Sequence, residues 1–264
     1  MKFQILLPIL VVSAIAAPQC IPSASEIVSK DLAYAYAVSF QAPTTSETMN
    51  CIKSQGYQAA FIRGFNWEGN GSFDANSVAS VRYAYYAGLG IEIYMYPQQK
   101  STYSGGQQLD MMVRALSDNG IVIRTVWIVV ASPSMFSKDP ISNNAFVRSI
   151  ITRAQQLGIT VGIFTNQSDW TSITNNWLTV DPDVLLWYWN TRGNGASNAS
   201  PPNFDDYVAF GGFKTVLAKQ FDNGETLCEL PLSRNVYSVG MASAKRSATF
   251  VAPEGKIVAG GIGL

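Results

Sequence analysis

Histidine is absent from the 264 residues, and only three cysteines occur, Cys20, Cys51 and Cys228. A Ser-His-Asp or Cys-His nucleophile is thereby excluded, as is a zinc site built from imidazole or thiolate ligands. Charge is scarce too. Asp, Glu, Lys and Arg make up 14% of the chain, and the 18 basic and 18 acidic residues cancel, whereas roughly a quarter of an average soluble protein is charged. With no cationic field to hold phosphates or anionic lipid, neither nucleic acid nor a membrane is expected as partner. Neutral ligands such as carbohydrate suit this balance better. No cofactor or metal is called for, and what remains for catalysis is carboxylate or tyrosine chemistry.

Long apolar runs are missing as well, save one at the start. Lys2 precedes an apolar stretch from Ile5 to Ala17, about 13 residues against the roughly 20 of a bilayer-spanning helix. Ala14 and Ala16 supply small residues where a signal peptidase reads them. Residues 1–16 are therefore expected to be a signal peptide, and the mature chain a secreted, extracellular monomer. In that compartment three sequons gain meaning: Asn70 (NGS), Asn166 (NQS) and Asn198 (NAS). The proline after the last makes it a poor acceptor, and chance occurrence in an Asn- and Ser-rich chain is the alternative for all three.

What is present is a rhythm. Short apolar or β-branched runs at 33–39, 57–63, 91–96, 122–130, 159–164 and 184–189 alternate with stretches of helical spacing at 44–55, 74–88, 106–118, 141–157 and 168–177. Asn119-Gly120 and Leu157-Gly158 each stop a helix just before a strand, as a left-handed cap feeding the next strand does. Strands apolar on both faces with helical crossovers mean an α/β fold with a parallel sheet, open or closed. Residues 190–213 carry turn chemistry and read as a long loop on the functional face. Residues 239–264 lack an amphipathic period and read as a poorly ordered tail, which leaves 17–238 as the principal domain. In an oxidising compartment three cysteines leave one odd. Cys51 with Cys228 is the preferred pair, because the first and last units of a closed barrel are neighbours; Cys20 with Cys51 is the alternative.

The ordered segments YAYAVSF (34–40), GYQAAFIRGF (56–65), AGLGIEIYMYP (87–97), RTVWIVVASP (124–133) and GITVGIFTNQSDW (158–170) resemble the lysozymes of glycoside hydrolase family 25, particularly nematode and protist relatives. The resemblance spans about residues 33–238. It implies a modified β/α, TIM-like barrel of mostly parallel strands with its site at their carboxyl ends. It also implies cleavage of the β-1,4 bond between N-acetylmuramic acid and N-acetylglucosamine in bacterial peptidoglycan, in a setting of digestion or innate defence against bacteria.

The family's catalytic positions are where this chain departs. The acid near the end of the family's first strand aligns with Ser39. The Asp-x-Glu pair of the fourth, two carboxylates on one strand face because side-chain direction repeats every two residues, aligns with Val129 and Ala131. The acid of the last strand aligns with Ser233. No Asp or Glu lies anywhere from Thr125 to Ser137, so a register slip restores nothing. General acid–base assistance is worth about 10²- to 10⁴-fold per group, and the expectation is a glycan-binding pseudoenzyme with weak or lost hydrolysis. Tyr94, which matches a site tyrosine of the family, with Trp127, Trp187, Trp189 and Asn166, would form the sugar-binding surface. For the rings, a core role is the alternative.

Relocated acids give a second reading, an active hydrolase using Glu92 and Glu68. Glu92 lies on the same strand face as Tyr94 and is otherwise an ion-pair partner for Arg63 or Arg124; Glu68 is otherwise a solvated loop charge. Asp169 reads as the cap of the fifth helix. A third reading is a secreted structural or signalling protein that has lost the groove.

Overall fold

In the computed structural model, residues 34–213, 216–239 and 253–262 are described. The expected signal peptide and Cys20 lie outside them. The chain runs β1 (Tyr34–Phe40), α1 (Ser46–Ser54), β2 (Ala59–Asn66), β3 (Ser72–Phe73), α2 (Asn76–Tyr86) and β4 (Gly90–Met95). It continues through α3 (Gly105–Asp118), β5 (Ile121–Ile123), β6 (Thr125–Val129), α4 (Pro140–Gln156), β7 (Thr160–Thr165), α5 (Gln167–Thr174) and β8 (Leu185–Trp189). A hairpin of β9 (Ala218–Leu227) and β10 (Leu230–Ser238) follows, and then β11 (Ile257–Ala259).

Eight strands close into a barrel in the order β1, β10, β9, β8, β7, β6, β4, β2, with β2 returning to β1. All neighbours are parallel except at β10, which runs antiparallel to both β9 and β1. The βα rhythm thus gives the expected mostly parallel barrel. The expected fourth strand, 122–130, divides at Arg124: β5 leaves the barrel and pairs with β11, while β6 stays in the wall. β9 lacks a visible signal because AKQFDNGETL mixes charge and turn residues.

Alternation along each strand sorts side chains into two cores. Outward-facing Val38, Ala60, Ile62, Ile91, Ile93, Val126, Ile128, Val161 and Ile163 pack under Met49 and Ile52 of α1, Val81 of α2, Leu109 and Met112 of α3, and Val147 and Ile150 of α4. Inward-facing Ala37, Ala59, Phe61, Tyr94, Trp127, Phe164 and Trp187 fill the lumen. The rings interlock, with centroids 4.3 Å apart for Phe61 and Trp187 and 5.9 Å for Trp127 and Trp187. Gly162 faces Trp127 across the β6–β7 pair, and a methyl group there would overlap the indole, so the lumen's largest ring fits because its neighbour has no side chain.

Local chemistry sets the helix starts. Ser104 and Gln107 form a capping box on α3, and Asp139 caps α4 with Pro140 in its first turn. The Cys51–Cys228 disulfide ties α1 to the β9–β10 turn across 177 residues.

The described part of the expected tail is not disordered. β11 extends β5, Gly260 N–H donates to the Ile91 carbonyl at 2.7 Å, and Ile262, 5% exposed, joins the lumen core from below. Lack of amphipathic period misled the sequence reading because this segment is held by its backbone. Its anchor is Glu92: Oε1 accepts the N–H groups of Gly261 (2.6 Å) and Ile262 (2.7 Å), and Oε2 accepts the Trp127 indole N–H (2.8 Å).

Burial pushes the Glu92 carboxyl above its ordinary range, with the two peptide N–H groups, the indole and the Arg124 charge pulling the other way. The folded protein therefore keeps this proton at pH values where the unfolded chain has released it. Stability contributed by this group falls as pH rises from the ordinary carboxylate range to the folded value, and is level above it. Glu92→Ala removes the acceptor for three donors and is expected to cost about 3 kcal/mol. Urea unfolding of wild type and variant checks this; an unchanged midpoint would contradict the anchor role.

Candidate functional site

The carboxyl ends of the parallel strands and the start of β10 surround a mouth cavity of about 470 Å³. Ser39, Val129, Ala131 and Ser233, from three different barrel strands and the segment just past β6, all line it. The positions that the sequence aligns with family acids are therefore brought to one place, and none carries a carboxylate. Their polar members are tied into a chain: Trp187 Nε1 donates to Asn235 Oδ1 (3.0 Å), Asn235 Nδ2 donates to Ser39 Oγ (3.1 Å), and Ser233 Oγ donates to Asn223 Oδ1 (3.0 Å).

The aromatic candidates separate. Tyr94 lines the cavity at 6% exposure, its hydroxyl donating to the Phe40 carbonyl at 2.9 Å; burial holds that phenol well above its usual pKa. Its ring is a fixed wall. Trp187 lines the cavity floor at only 2% exposure, which leaves little ring face for a ligand. Trp189 is half-buried and borders both this cavity and a second of about 500 Å³ that also touches Asn166, Asn190, Asp206 and Phe210. Trp127 is a correction: it is wholly buried below the mouth and lines neither cavity, because its position on β6 points it into the middle of the lumen.

The candidate acids lie elsewhere. Glu92 is sealed under the floor by the C-terminal segment, and its partners are peptide N–H groups and an indole rather than Arg63, which pairs with Asp74 at 2.8 Å. Glu68 is exposed on the loop between β2 and β3. Neither lines the mouth cavity.

Asp169 does line it, and here the sequence reading is corrected. The cap of α5 is Asn166, whose Oδ1 accepts Asp169 N–H at 2.8 Å. Asp169 sits three residues on and turns its carboxyl toward the mouth, where Oδ2 accepts Trp189 Nε1–H at 3.2 Å and, at 3.4 Å, the N–H of Ser132. Ser132 adopts left-handed backbone, φ 59°, a conformation uncommon outside glycine that aims this N–H across the cavity. Burial raises the Asp169 pKa, the two hydrogen bonds opposing. The signal was present in the sequence: an Asn closing a strand with an acid three residues later is an N-cap spacing.

Of the sequon asparagines, Asn70 is exposed but its side chain bridges to Ser101 and Thr102, and Asn198 Nδ2 donates to the Asn194 carbonyl. Asn166 is committed through Oδ1 to its helix. The long loop after β8 owes its position to Lys219 of β9, which is fully buried. Its Nζ reaches the carbonyls of Pro201 (2.9 Å) and Asn203 (3.0 Å) and the Asp206 carboxylate (2.8 Å). A paired buried cation of this kind fixes the loop wall of the second cavity.

Comparison with known proteins places this arrangement among relatives. The family model described as lysozyme-like protein 1 matches residues 30–221. Lysozyme-like protein 1 of Caenorhabditis elegans is 49% identical over 247 residues, covering 90% of this chain and 83% of that protein. Probable GH family 25 lysozyme 2 of Dictyostelium discoideum is 30% identical over 201 residues, covering 76% of this chain and 89% of the other. Among solved structures, the bacterial lysozyme from Streptomyces coelicolor superposes with a TM-score of 0.61 at 19% identity, over 78% of this chain and 93% of that one. The family GH25 lysozyme from Aspergillus fumigatus gives 0.61 at 13% identity, over 80% and 97%. At such identities the structural likeness concerns the fold.

Proposed function

Because this chain belongs to the lysozyme-like proteins of glycoside hydrolase family 25 type, we propose that it is a secreted, monomeric glycan-binding member of that family. Its ligand is bacterial peptidoglycan or a related glycan, its hydrolysis is weak or lost, and its setting is digestion or innate defence. The observation that carries this reading is the mouth cavity. It keeps aromatic walls, Tyr94, Trp187 and Trp189, around four positions, Ser39, Val129, Ala131 and Ser233, that hold no acid. Glycoside hydrolysis in this family's manner needs a proton donor for the leaving oxygen and a second carboxylate for the oxocarbenium-like centre. Stacking on a pyranose face needs neither.

The apolar leader supports secretion, as does the Cys51–Cys228 bridge, which suits an oxidising compartment. Trp189 carries the stacking face, since it is the least buried of the cavity's tryptophans. Trp189→Ala is expected to weaken co-sedimentation with insoluble peptidoglycan about tenfold or more while leaving the melting temperature near that of wild type. Binding unchanged in that variant would move the glycan site away from the mouth.

A further inference from the structure

The charge of the mouth cavity has one sign. Among the described residues Asp169 is the one carboxylic acid in its lining, and no lysine or arginine lines it. The carboxyl is oriented rather than loose: the Trp189 indole and the Ser132 N–H both donate to Oδ2, while among the described residues no hydrogen bond reaches Oδ1. Around it stand the rings of Tyr94, Tyr96, Trp187 and Trp189, and the remaining lining is neutral, with Gln41, Gln220 and Asn223 as amides. The nearest cation behind the lining, Arg63, hydrogen-bonds Gln41 and is neutralised by Asp74 at 2.8 Å; a carboxylate with one fixed and one open oxygen beside the half-buried Trp189 ring is then the chemistry of an ammonium site.

Resting on the reading that the mouth holds a glycan, we propose that this cavity selects amino sugars whose 2-amino group is free. A glucosaminium unit would donate from its ammonium to Asp169 Oδ1 and lay its ring against Trp189. An N-acetylated unit offers a single neutral amide N–H at the same place and brings a methyl group into the polar corner. The Trp189–Asp169 hydrogen bond makes the two contacts one device, since the indole that carries the sugar face also sets the direction of the carboxyl.

The test uses the mature chain with β-1,4-linked glucosamine hexamer and N-acetylglucosamine hexamer, titrated calorimetrically just below neutral pH at low salt. A charge-assisted bond in place of a neutral one predicts that wild type binds the free-amine hexamer about tenfold tighter. Asp169→Asn, nearly isosteric, is expected to bring the ratio close to one, and Trp189→Ala to weaken both ligands and, because the carboxyl loses its fixed direction, to lower the ratio as well. Equal affinities in wild type, tighter binding of the acetylated hexamer, or a ratio that survives Asp169→Asn overturns the proposal. The wild-type ratio decides even if a variant fails to fold. Binding of neither hexamer, with no binding of peptidoglycan walls before or after chemical N-deacetylation, refutes the glycan reading itself. Gain of wall binding on deacetylation identifies the wall, rather than a free glucosamine polymer, as bearer of the ammonium.

Discussion

Replacing Cys51 and Cys228 together by alanine is expected to lower the unfolding free energy by about 5 kcal/mol, the chain-entropy value for a closed loop of this length. The bridge spans 177 residues, so in the unfolded chain it restrains nearly the whole barrel. In the folded chain it joins α1, which follows the first strand, to the turn between β9 and β10, and so staples the barrel where its two ends meet. That turn is itself unfavourable. Cys228 and Glu229 both have left-handed backbone, φ 51° and 64°, as a two-residue hairpin turn of this hand requires, but without the Asn-Gly that such turns prefer. The double variant should unfold at markedly lower denaturant, with the same ranking by fluorescence and by circular dichroism. A loss below about 2 kcal/mol, at the foot of the usual range for native disulfides, would mean that the barrel closes without the staple.

The second large effect is a gain. Val129→Asp with Ala131→Glu returns an acid pair to one face of β6 and its continuation. Their α-carbons lie about 6.6 Å apart by strand geometry, and Val130 N–H still pairs with the Phe164 carbonyl at 2.9 Å, so the strand path persists past Val129. Ser39→Asp and Ser233→Asp add the remaining positions. All four line the mouth, although Val129 and Ala131 also belong to the top of the lumen core, at 3% and 6% exposure, so the new acids enter at the boundary of core and cavity. If the family positions are the missing component, release of reducing ends from peptidoglycan should rise by at least about 10²-fold over wild type, the lower bound for one restored acid–base group. No gain in a folded variant that still sediments with the wall would show that the groove differs in more than its acids.

Much of this molecule is legible in its residues, and the exceptions share a cause. The βα rhythm is readable because buried parallel strands are continuous apolar runs and their helices stop at glycine. Ser39, Val129, Ala131 and Ser233 converge because strand register carries them there. Glu92, by contrast, reads as a candidate acid on strand-face logic, and it does point inward. What it meets is the backbone of residues 261 and 262, and peptide N–H donors leave no trace in side-chain patterns. The same blindness made the C-terminal segment look like a tail. Trp127 faces inward as expected but one layer too deep, since period gives direction and not depth. Asp169 was hidden by a one-turn ambiguity over which residue caps α5.

On the function proposed above, this barrel holds a glycan at its mouth without the carboxylates that would cleave it. Both halves are read in one tube: the purified protein is mixed with a Gram-positive cell-wall suspension, turbidity is followed, and the pellet is then assayed for bound protein. Wall-bound protein with turbidity unchanged from the buffer control is the expected result. Clearance of the suspension by the wild-type chain would contradict it, and so would protein left entirely in the supernatant.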